Sequence, residues 1–174
     1  MLTESGLLRL WREVYAMTAD VTPLSGDCGQ LCDSICCQDW DEGVGMYLYP
    51  GEELLLAGES WLTRHWHPEP SPRLPGARPR GAWFVTCEGY CPREMRPFAC
   101  RTFPLIPHMR DDGGWKLILD PNGLPICPLI QMDQPELLLP SFRATMKDAW
   151  RKLLTVEEVK RDVMLSSRRR TSRV

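Results

Sequence analysis

No apolar run in this chain is long enough to cross a bilayer. Runs such as Leu117–Leu119 and Leu137–Leu139 are only a few residues long, against about 18 for a span. Nor do the first residues read as a signal peptide. Met1-Leu2-Thr3-Glu4 carries an acid where basic charge belongs, and Arg9, Arg12 and Glu13 interrupt the apolar residues behind it. Neither sign of charge dominates. With 21 basic and 23 acidic residues the net charge is −2, which excludes a nucleic-acid binder driven by overall basicity. The chain shows no internal repeat, phosphate-binding glycine loop, nucleophile elbow or pair of catalytic acids. These absences lead to a cytoplasmic reading with no membrane partner. With 174 residues, 43% hydrophobic and 25% charged, the chain has the size and composition of one globular domain that needs no disulfide to fold.

What is abundant is cysteine. There are eight, beside 16 prolines and seven tryptophans. In a reducing compartment, clustered cysteines are more often metal ligands or redox centres than disulfides. They fall into Cys28, Cys32, Cys36 and Cys37, then Cys87, Cys91, Cys100 and Cys127. Four plus four matches two tetrathiolate sites, and both zinc and iron–sulfur clusters take four thiolates. Cys28, Cys32 and Cys36 are spaced by four. On a helix they would share one stripe, with Cys37 about 100° away. In a loop the same gaps let the thiolates converge. No cysteine pair has the two-residue gap of a zinc knuckle, and no histidine stands at ligand spacing from a cysteine. Cys91-Pro92 and Cys127-Pro128 echo the cysteine–proline step of some ferredoxins. These features lean to a four-iron cluster and leave zinc open. Either site carries a formal −2, so burying it requires donors. Arg96 and Arg101, and Arg93 near them, are placed to supply bonds to sulfur or to lie at the surface.

The expected fold is a small, irregular α+β domain, with a few helices and short strands organised around the cysteine-rich site. Residues 1–27 form an N-terminal helix and lead-in, 28–128 the cysteine-cluster domain, and 129–174 a C-terminal helix and basic tail. Leu7, Leu8, Trp11, Val14 and Tyr15 repeat at helical spacing over Ser5–Ala19, with Ser5 as cap. Met46–Tyr49 reads as a strand. Pro50-Gly51-Glu52-Glu53 reads as a helix start, with the acids in the first turn and the helix running to about Trp66. Residues 67–81 hold five prolines and three arginines and read as an exposed loop. Trp83–Thr86 and Trp115–Leu119 read as strands, the second after a turn at Asp111–Gly114. Ser141 to about Leu165 reads as one helix. The tail Arg168-Arg169-Arg170 with Arg173 reads as a frayed solvated end or a contact for a polyanion. His65 and His67 read as surface residues, and His108 is not taken as a ligand.

The run Cys28-x3-Cys32-x3-Cys36-Cys37, then Cys87 and Cys91, then Arg96-Pro97-x2-Cys100-Arg101-Thr102-Phe103-Pro104, then Cys127, resembles the YkgJ-type cysteine-cluster family. The resemblance covers about residues 28–128. It implies a zinc- or iron-chelating domain with all eight cysteines as ligands. The family pattern has two-residue gaps before the doublet, and this chain has three in both places. A flagellin lysine methylase carries a similar cluster. Three functions follow as expectations: a metal-chelating protein with a redox or electron-transfer role, an iron–sulfur-dependent group-transfer enzyme, or a structural zinc module that contacts a partner through its basic tail.

Overall fold

The computed structural model describes residues 2–38, 45–68, 81–87 and 91–171. The proline-rich segment between 69 and 80 lies outside the described residues, as does Arg173.

Helix α1 spans Glu4–Met17 and buries Trp11, Val14 and Tyr15. Its cap is Thr3 rather than Ser5: the Thr3 hydroxyl accepts the Gly6 N–H at 3.2 Å. The expected helix from 50 to 66 is a single 3-10 turn, Glu52–Leu54, followed by strand β2, Leu62–His67. Gly58 at φ 95° lies between them, in the left-handed region that breaks a helix. β2 pairs antiparallel with β3 (Ala82–Cys87), and β3 pairs with β1 (Met46–Tyr47), giving the sheet order β1-β3-β2. The short helix α2, Phe98–Thr102, carries Cys100 and Arg101. A hairpin of β4 (Leu105–Met109) and β5 (Trp115–Leu119) follows, with the Asp111–Gly114 turn between them as expected. Helix α3 is Pro128–Gln131.

The long C-terminal helix is two helices, α4 (Pro140–Leu153) and α5 (Glu157–Thr171). The Thr155 hydroxyl donates to the Lys152 carbonyl at 2.7 Å, which competes with the helical ladder. Glu157 and Glu158 then open a new first turn, where acids suit the dipole. Arg168–Arg170 lie within α5 rather than in a frayed tail. Arg170 donates to the Pro107 carbonyl at 2.7 Å, and the Met109 N–H donates to Ser167, tying α5 to β4.

One core joins the three sequence segments. Trp11 of α1, Phe98 of α2 and Trp150 of α4 are fully buried. Their rings meet edge-on or tilted at 5.2–5.8 Å, with Tyr49 against Trp150 at 4.9 Å. Both indole N–H groups are satisfied: Trp11 donates to the Pro50 carbonyl and Trp150 to the Thr102 hydroxyl. No helix among the described residues is long and apolar enough to cross a membrane.

Candidate metal centre

The first cysteine segment is neither one helix nor an open loop. It is two 3-10 turns, Cys28–Leu31 and Ile35–Cys37. Asp27 caps the first, its carboxylate accepting the Gly29 N–H at 2.9 Å. Asp33 and Ser34 then adopt left-handed backbone, φ 51° and 53°, and turn the chain into the second. A Cβ on Gly29 would stand 2.3 Å from the Ser34 Oγ, so a larger residue there would force the Ser34 hydroxyl to move. The continuous helical stripe of Cys28, Cys32 and Cys36 is therefore absent.

The other four cysteines come from separate elements. Cys87 ends β3, Cys91 precedes the 3-10 turn Arg93–Met95, Cys100 sits in α2, and Cys127 caps α3. No disulfide joins any of the eight.

Their charges act on one another. Burial pushes the Cys100 thiol well up, and thiolates at Cys37, Cys87 and Cys91 push it further. Burial also raises Cys28, with Asp27, Cys127 and Cys32 adding to the effect. Cys36 hydrogen-bonds Cys37. The bond raises Cys36 and lowers Cys37 to about 6, with Arg96 also lowering Cys37. Cys100 is thus acted on by Cys37, Cys87 and Cys91, and Cys28 by Cys127 and Cys32. Cys36 lies in the field of both Cys100 and Cys28. Among the described residues, no group of three or more His, Cys, Asp or Glu side chains stands arranged to hold a metal ion.

The two arginines of the Arg96-Pro97-x2-Cys100-Arg101 block have opposite duties. Arg96 is the cation among the sulfurs. Burial lowers its pKa, but a hydrogen bond to Cys91 and the charges of Cys91, Cys37 and Cys100 raise it overall. Its Nε is buried and has no hydrogen-bond partner. A buried donor left open suits an anionic centre that would complete it. Arg101 is directed to oxygen. Its Nε donates to the Arg96 carbonyl at 2.7 Å, Nη1 to the Tyr15 carbonyl and Thr18 hydroxyl, and Nη2 to the Arg93 and Glu94 carbonyls. Its guanidinium also lies over the Tyr15 ring at 4.2 Å. Arg93 similarly donates to the carbonyls of Ala19 and Val21. Arg93 and Arg101 fix the backbone that presents Cys91 and Cys100, and Arg96 faces the thiols.

Sequence reading missed Glu52. It reads there as a first-turn acid, yet it is fully buried. Its carboxylate accepts from the Tyr15 hydroxyl at 2.7 Å, the Tyr49 N–H at 2.9 Å and the Phe98 N–H at 2.6 Å. Burial first, then the Glu52 charge and hydrogen bond, raise Tyr15 well above its ordinary value. Glu52 thereby ties α1 to the first residue of α2, the helix that holds Cys100. Gly51 before the acid lets the chain pack this closely against α1. Gly51 has φ 84°, and a Cβ there would strike the Leu7 side chain at 2.2 Å.

A cleft of about 510 Å³ opens beside the sulfurs. Cys28, Cys36, Cys37, Cys100 and Arg96 help line it, together with the apolar Phe103, Ile106 and Val163. The histidines stand apart from the cysteine pairings. His65 is exposed. His67 bonds the Tyr47 hydroxyl at 3.0 Å and stacks on Phe84. Burial, with Arg170 and Lys116 nearby, lowers the pKa of His108.

No family model, curated protein or solved structure matches this chain.

Proposed function

We propose that this chain is a metal–thiolate protein of the YkgJ cysteine-cluster type. Its eight cysteines hold a four-iron cluster or zinc in a cytoplasmic, reducing setting, with a redox or electron-transfer role when the metal is iron. The observation that carries this reading is that Cys100, of α2, lies in the field of Cys37, Cys87 and Cys91, which come from segments far apart in sequence, and that Cys91, Cys37 and Cys100 act on Arg96. Thiolates are soft donors suited to both zinc and iron–sulfur. The open Nε of Arg96 supplies a donor to an anionic centre. A bound cluster would supply one-electron chemistry; zinc would supply structural cross-linking.

Anaerobic purification tests this. A brown protein with broad absorbance near about 400 nm and stoichiometric iron assigns the cluster, and a colourless one with zinc assigns the structural module. Cys32→Ser, Cys36→Ser and Cys100→Ser should each lose metal and solubility together. Unchanged metal content and melting temperature in all three would overturn the reading.

The cleft favours a second reading, a group-transfer enzyme of the methylase-like kind. It gives a substrate about 510 Å³ beside four of the thiols, within the usual range for ligand sites. Three protein ligands on the metal instead of four would point to it.

A further inference from the structure

On the side of the sheet facing α5, a second cavity of about 260 Å³ is independent of the cysteines. Trp66 and Trp83 are cross-strand partners in β2 and β3. Their rings meet at 5.5 Å and 66°, forming a corner of two aromatic walls. Trp66 is 53% exposed, unusual for so large an apolar side chain. A Cβ on Gly81 would stand 2.5 Å from its Cζ2, so the glycine is what lets the ring lie there. The Trp83 ring already attracts one cation, the Arg64 guanidinium at 5.7 Å.

Glu53, Glu158 and Asp162 line the same cavity, with Arg161. The Arg64 guanidinium over Trp83 also donates to the Glu53 carbonyl at 3.4 Å. Burial pushes the Glu53 carboxyl above its ordinary range, and Arg64 offsets part of that, so the ring and the acid already share one cation and a bound one would extend the pattern. Two steeply inclined aromatic faces, with carboxylates in the same lining, form an arrangement that recognises a diffuse positive charge with apolar skin. Small hydrated metal ions gain little from indole faces. We propose that this cavity binds a quaternary or methylated ammonium group.

Titration of the full chain, followed by tryptophan fluorescence and calorimetry, tests this. The probes are choline, its uncharged isostere 3,3-dimethylbutan-1-ol, and a blocked trimethyl-lysine. The cations should bind at least about tenfold more tightly than the alcohol. Tighter binding of choline assigns the site to a free small cation, and tighter binding of the blocked amino acid assigns it to a modified side chain. Trp66→Ala should weaken cation binding about tenfold without moving the melting temperature, because the ring is half exposed. Glu53→Gln should weaken it less. Equal binding of alcohol and choline, no binding of either cation, or full binding by both variants would overturn the proposal.

Discussion

Around Trp11, Phe98 and Trp150 the side chains are fully buried and ring meets ring. The segments that carry Cys28–Cys37 are instead two 3-10 turns joined by left-handed residues, with Cys36 and Cys37 exposed. The first region is stabilised by removing apolar surface from water. The second buries little and is positioned from outside, by Asp27 and by neighbours that Arg93, Arg101 and Glu52 hold in place. The thiol face is therefore not self-sufficient. Its geometry is supplied by hydrogen bonds from the core and, on the proposed function, by a metal.

The largest effect should come from the core. Trp150→Ala removes a fully buried indole that also bonds Thr102, and should cost about 4 kcal/mol in chemical denaturation. Arg101→Ala strips donors from four carbonyls and one hydroxyl. About 3 kcal/mol should be lost, with poor rescue by Arg101→Lys, whose ammonium cannot span that fork. Glu52→Gln places an amide N–H₂ against donors that face a carboxylate, and should cost about 2 kcal/mol. Arg96→Gln is the sharpest contrast. It should cost metal-free protein about 1 kcal/mol, well under Arg101→Ala, yet weaken metal affinity about tenfold in chelator competition. Equal effects of Arg96→Gln and Arg101→Ala on both quantities would erase the distinction between the two regions.

The helical core was largely legible in the sequence. α1 and β5 follow directly from periodicity, because one side of each faces a continuous core. The C-terminal pattern ran through Leu154–Val156 without a glycine or proline to mark the break, since the interruption is made by Thr155 bonding its own backbone. β2 was hidden because four successive residues, Thr63–Trp66, are exposed, so no alternation of burial is written into them. β4 was hidden by Pro107 inside it, a residue that usually argues against a strand. Among the site residues, the cysteines were legible by type and spacing. Glu52 was not, because burial of an acid depends on donors distant in sequence, Tyr15 and Phe98. Arg96 and Arg101 read alike in sequence, and only their partners separate them.

Thiol reactivity distinguishes metal ligands from plain thiols. Cys37 is exposed and its bond to Cys36 lowers it to about 6, so as a plain thiol it would react at once with a small disulfide reagent. In anaerobically purified protein Cys37 should stay protected until a chelator or acid removes the metal, after which eight thiols titrate. Immediate reaction of Cys37 in untreated protein, with no metal released, would show that it is not a ligand.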